Sequence, residues 1–318
     1  MTTNKKHLIL TTTKCSVAVA LLFWVLRKTN LTEIFLAAKD TNIPLLMAAL
    51  FIYFLSYYIR SHRWRLLLRA QGVNASIPDL LKSYMVGIFF SNFLPSTLGG
   101  DAVRVYDAWQ LGASKSRAVA TVIVDRFLGL LGLMLFAVGS LLFAQQLGVH
   151  LPSLQLWLLL GAMLVFLLVW MLLVPSRQMV KLIIKMRLPL WQNLQQKLIN
   201  IIKAFLVFRN YQAVLSMSLG LSLMVQISVI VHYYLIAKAL NLPVTLQIFF
   251  LIVPLVTVIM VLPISINGIG LRENAFVLLL GTFASGISRP EAIAFSWLAY
   301  GIVIIQGLLG GIVYALRK

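Results

Sequence analysis

The sequence predicts an all-α integral membrane protein: six full transmembrane helices plus two re-entrant helical hairpins, arranged as an inverted-topology repeat over about residues 1–146 and 150–318. Three observations predict it. The 318-residue chain is 61% hydrophobic and only 11% charged, whereas a soluble domain keeps roughly a quarter of its residues charged. Apolar runs of about 20 residues, the length that crosses a bilayer, recur along the chain. Two further apolar regions are each broken near the middle by Pro and Gly, and the broken tips resemble one another.

Taken in order, residues 8–26 read as the first span. Lys5 and Lys6 precede it, and Trp24, Arg27 and Lys28 follow where a leader would show a small-residue cleavage site, so an uncleaved helix is expected. Residues 43–59 form the second span, followed by a basic connection with Arg60, Arg63, Arg65 and Arg69. Region 78–111 is the first broken one. Spans 119–144 and 154–174 come next, then the stretch 175–210 with seven basic residues and no acid. This stretch reads either as an interfacial amphipathic helix on anionic headgroups or as an ordinary basic loop. Spans 211–237 and 292–316 flank the second broken region, 246–285.

Most Lys and Arg collect in alternate connections: at the N-terminus, at 60–69, at 115–117, at 175–210 and at the C-terminus. By the positive-inside rule that side is cytoplasmic. The expectation is therefore a multi-pass cell (inner) membrane protein with both termini in the cytoplasm. Region 78–111 then enters and leaves on the cytoplasmic side, and region 246–285 on the outer side, which makes each a hairpin. Their tips read LPSTLGGDAVR (94–104) and LPISINGIGLR (262–272). Arg104 and Arg272 each lie nine residues after the proline, and Gly100 and Gly268 share an offset. Helix, helix, hairpin, helix occurs twice in opposite orientation, the plan of many secondary transporters. Irregular backbone at membrane depth needs burial in protein or access to water, so the tips are expected to meet around a polar cavity.

These tips hold the candidate substrate-binding residues. In the first, Gly99 and Gly100 precede a restarting helix whose free amides suit an anionic oxygen. Asp101, Arg104 and Asp107 are spaced by three on one face of it. Arg104 suits a bidentate contact to phosphate; the other reading is an Asp101–Arg104 pair that neutralises itself. The second tip offers Ser265, Asn267, Gly268, Gly270, Arg272 and Glu273, either as ligands or, for Asn and Gly, as caps of the restarting helix. Asp125 and Arg126, inside the start of span 119–144, read as a structural charge pair, with pairing to a hairpin charge or snorkelling as the choices. Gln226 and His232 read as interhelical hydrogen bonds, with a proton-carrying His232 as the other use. Tyr84, Ser91 and Asn92 fit the lining of the first hairpin.

Other classes are poorly supplied. The basic residues form no basic arm or finger spacing, so no nucleic-acid partner is expected. Cys15 is the only cysteine, which leaves no intrachain disulfide and no Cys-based metal site. No metal-spaced cluster, Walker loop or Gly-x-Ser-x-Gly occurs. No cofactor, metal or catalytic group is expected.

Four ordered motifs now carry a family likeness: RSHRWRLLLRAQG (60–72), NFLPSTLGGDAVRVY (92–106), DRFLGLLGL (125–133) and LPISINGIGLRENAF (262–276). Together they resemble the membrane domain of lysylphosphatidylglycerol synthases and the standalone flippase-like proteins related to it, over essentially the whole chain. The resemblance implies a single lipid-translocating membrane domain over 1–318. The soluble aminoacyltransferase domain of the full synthase is not found before Lys318, so lysyl transfer is not expected. The leading expectation is a flippase for an anionic phospholipid or a polyprenyl phosphate lipid, held at Arg104, Arg272 and the tip backbones. It would perform no enzymatic step of its own and would be served by a separate lipid-modifying enzyme. A membrane subunit or enzyme of lipid headgroup modification (aminoacyl- or glycosyl-lipid synthesis), and a scaffold docking through 175–210, are the competing readings.

Overall fold

Lipid solvates no backbone amide, so a chain this apolar must satisfy its hydrogen bonds within helices. The computed structural model describes residues 41–93, 98–146, 154–173, 199–200, 202–204, 206–261, 271–284 and 286–317. Every regular element among them is helical: α1 (Ile43–Ala70), α2 (Ile77–Phe93), α3 (Leu98–Gln110), α4 (Lys115–Gln146), α5 (Leu154–Leu173), α6 (Gln212–Ala239), α7 (Leu246–Val261), α8 (Leu271–Phe283) and α9 (Arg289–Leu316), with a 3-10 turn at Phe208–Asn210. Four are long and apolar enough to cross a membrane: α1, α4 over Lys115–Leu142, α6 and α9, each of 28 residues. At 1.5 Å per residue such a helix reaches about 42 Å, beyond the ~30 Å hydrocarbon core. α5 adds 20 residues without a charge. The chain is an all-α membrane protein.

One boundary is corrected. The basic run 60–69 is not a connection after a span ending at 59, because α1 continues through it to Ala70. RSHRWRLLLRA contains no helix breaker, and Trp64, Leu67 and Leu68 are fully buried, so tertiary packing carries the helix on. It stops at Gly72, whose φ of 79° is left-handed; there the Val73 amide donates to the Leu68 carbonyl at 3.0 Å, closing the end as a Schellman turn does. α4 begins earlier than expected, at Lys115, where the Arg117 amide donates to Ser114 Oγ at 3.4 Å. α9 begins with a capping box in which Ser288 and Glu291 satisfy each other's amides.

The two broken regions hold α2 and α3, and α7 and α8, with residues 94–97 and 262–270 outside the described residues. The expected span 8–26, most of 175–210, and the tip residues Ser265, Asn267, Gly268 and Gly270 lie outside the described residues. Helices α1 to α4 have 28, 17, 13 and 32 residues, and α6 to α9 have 28, 16, 13 and 28. Left-handed residues follow corresponding helices too: Gly72 and Asn241 after α1 and α6, Gly112 and Gly286 after α3 and α8.

The chain forms two compact units. The first takes residues up to Tyr57, Leu81–Val103 and Val229–Lys318; the second takes Tyr58–Leu80 and Arg104–Ser228. In the first, α7 packs on α8 and α8 on α9. Phe276 and Phe295 meet edge to face at 5.0 Å, with Tyr233 at 5.2 Å from Phe276 and Phe249 at 5.7 Å from Phe295. Phe89 of α2 joins Trp297, Tyr300 and Ile304 of α9 in a second cluster. The α2–α9 contact is close at backbone level, since a Cβ on Gly310 would strike the Met85 carbonyl. α2 and α3 press together as closely: a Cβ on Gly100 would run into Ser91 Oγ and the Gly87 carbonyl. In the second unit, Leu67, Ala70, Val124, Leu128 and Phe208 form the core, and α4 packs on α5.

Candidate functional site

Burying an ion costs several kcal/mol unless another charge and good hydrogen bonds compensate it. The second unit buries three ions together. Arg63 of α1 is 4% exposed, Arg104 of α3 5% and Asp125 of α4 1%. Arg63 Nε donates to Asp125 Oδ1 at 2.7 Å, and Arg104 Nη2 donates to Asp125 Oδ2 at 2.7 Å. One carboxylate therefore serves two guanidinium groups, an oxygen each, through short charge-assisted bonds.

The two arginines are held differently. Arg63 also donates from Nη1 to Ser222 Oγ of α6 at 2.7 Å, and that hydroxyl donates onward to the Ser218 carbonyl at 2.9 Å. Gly129, one turn after Asp125, gives its guanidinium room; a Cβ there would stand 3.4 Å from Arg63 Nη1. Arg104 lies over the buried Trp64 ring, its Cζ 4.5 Å from the centroid. An arginine over an indole keeps its N–H groups in the guanidinium plane, the geometry that grips a carboxylate or phosphate edge-on. Asp107, one turn further along α3, is buried as well.

The first unit repeats part of this. Arg272 and Glu273 open α8, both buried, and Arg272 Cζ lies 4.6 Å from the Tyr300 ring of α9. Each arginine nine residues after a tip proline is thus laid over an aromatic ring.

Of the other expected site residues, Gly99 and Asp101 are half-buried, Gly100 is buried between α2 and α3, and Arg126 is exposed. Asn92 Nδ2 donates to the Val303 carbonyl at 3.0 Å. His232 Nδ1 donates to the Ala49 carbonyl at 3.0 Å and its ring stacks on Tyr53 at 4.5 Å. Sequence reasoning does not single out Arg63, Trp64, Ser222 and Tyr300 as site residues. Arg63 and Trp64 look like members of a solvated basic loop; the usable signal is their spacing of four from Leu67 and Leu68, a continuing helical face. Ser222 and Tyr300 carry no signal above other polar groups in apolar helices. Among the described residues, no three His, Cys, Asp or Glu side chains gather as a metal site would require.

Comparison with known proteins gives a consistent picture. A family model described as lysylphosphatidylglycerol synthase TM region matches residues 12–311. A UPF0104 membrane protein of Pyrococcus horikoshii is 30% identical over 106 residues, 32% of this chain and 32% of that protein. A UPF0104 membrane protein of Methanocaldococcus jannaschii is 30% identical over 101 residues, 31% of this chain and 30% of that protein. The matched stretch thus covers about a third of each relative's length.

Proposed function

The chain belongs to the lysylphosphatidylglycerol synthase TM-region family, and on that premise we propose that it is a lipid flippase or transporter. Its substrate is a phospholipid or polyprenyl-linked lipid with an anionic phosphate, moved between leaflets while the acyl or prenyl chains stay in the bilayer. The observation that carries this reading is Arg104, buried on the restarting limb of a broken helix pair and laid over Trp64. Ionic groups at membrane depth are costly and mark substrate paths, and a guanidinium is suited to phosphate. Arg272 over Tyr300 offers the same chemistry in the first unit.

The reading includes an architecture: six spans, two re-entrant hairpins and cytoplasmic termini, with halves of opposite orientation. The matching helix lengths and the left-handed residues at corresponding ends support it, as does the alternation of basic connections. A separate lipid-modifying enzyme would supply the headgroup, and the chain itself performs no chemical step.

The test is reconstitution into liposomes with fluorescent phosphatidylglycerol or a labelled polyprenyl phosphate, following exposure of the label to an external quencher. Arg104→Gln with Arg272→Gln is expected to lower the rate on the order of a hundredfold, two lost charge contacts at roughly 1.5 kcal/mol or more each. An unchanged rate overturns the proposal.

A further inference from the structure

Asp125 stands where an anionic ligand of Arg104 belongs. Its Oδ2 accepts a hydrogen bond from Arg104 Nη2 at 2.7 Å, the short charge-assisted contact a phosphate oxygen would make. The Asp125 carboxylate also has a second cation beside it. Arg63 of α1 holds Asp125 Oδ1 at 2.7 Å, bonds Ser222 and lies against Gly129, so it is tied to α4 and α6. Arg104 sits on α3, a 13-residue helix, with Trp64 beneath it. Arg63 thus belongs to a long spanning helix, and Arg104 lies midway along a short one.

Resting on the flippase reading, we propose that Asp125 is a built-in competitor for the lipid phosphate. With no lipid engaged, its carboxylate holds Arg104 Nη2. An arriving phosphate takes Arg104 from Oδ2, and Arg63 keeps the carboxylate compensated while this happens. No buried charge is stranded at either stage, which is the condition for exchange in a medium that solvates ions poorly. Release runs the same exchange backwards, so Asp125 limits how tightly the lipid is held and promotes its departure. Asp125 and Arg63 are in this sense positioning residues acting through Arg104. A transporter that binds its cargo too well turns over slowly, and an internal counter-ion is a direct way to weaken the bound state.

The experiment uses the full chain in detergent micelles. Native mass spectrometry measures binding of phosphatidylglycerol and, separately, of undecaprenyl phosphate, with phosphatidylcholine as the zwitterionic reference. Asp125→Asn is expected to bind one of the two anionic lipids on the order of tenfold more tightly than wild type, and to move it more slowly in liposomes. Adding Arg104→Gln to Asp125→Asn is expected to abolish the gain. Because Asp125→Asn leaves two arginines without their carboxylate and so risks misfolding, Arg63→Met/Asp125→Asn serves as the second variant; it removes the anchored pair together and is expected to show the same gain. Wild-type binding to an anionic lipid with no gain, or a loss, in both variants overturns the competitor role and leaves the flippase reading standing. Wild type and variants alike at the phosphatidylcholine level overturn both.

Discussion

Arg63 shows how a buried charge becomes tolerable. Its guanidinium has a carboxylate on one side, the Ser222 hydroxyl on another and glycine backbone against its edge. Removing the ion takes away the partner of Asp125 Oδ1 and of the Ser222 hydroxyl in a low dielectric. Arg63→Ala is therefore expected to lower stability by about 3 kcal/mol, and Ser222→Ala by about 1.5 kcal/mol. Both are read from the midpoint of detergent or heat unfolding, and equal losses would refute the hierarchy. At this scale the residue types are readable in the sequence. Arg104 stands out there by its distance from Pro95, and Asp125 by its place inside an apolar span. Their partnership is not readable, because Arg63, Arg104 and Asp125 lie 41 and 21 residues apart along the chain and only packing brings them together.

Helices are the most legible level. Apolar runs and their Gly, Pro and Asn interruptions locate α1, α4, α6 and α9 and both broken regions. The end of α1 is misread from sequence because charge density at 60–69 argues for water while the Trp64, Leu67 and Leu68 face argues for burial, and burial prevails. Close helix approach is invisible from composition alone. Gly310 is one of several glycines in α9, and it faces the Met85 carbonyl. Gly310→Val should force α9 away from α2 and cost about 2–3 kcal/mol, measured as an earlier unfolding midpoint. At Gly72, with φ 79° and open space around it, a valine should cost about 1–2 kcal/mol for its left-handed backbone alone. A Gly310→Val chain as stable as wild type would mean that the helices do not cross there.

For the whole molecule, the decisive question is on which side of the membrane each connection lies. After Cys15→Ser, single cysteines at Asn74 and Ser114 should label from one side, and cysteines at Pro243 and Ser288 from the other, with a membrane-impermeant maleimide. Asn74 and Ser114 on opposite sides would remove the first hairpin; all four on one side would remove the inversion. By itself the sequence determined the solvent of this protein and its helical class. These follow from composition and spacing, since hydrocarbon forces every backbone amide into a helix and marks each break with Pro or Gly. Tertiary structure alone decided which charges meet. Pairing of buried ions depends on helix rotation to within a fraction of a turn, and that rotation is set by contacts between residues far apart in the chain.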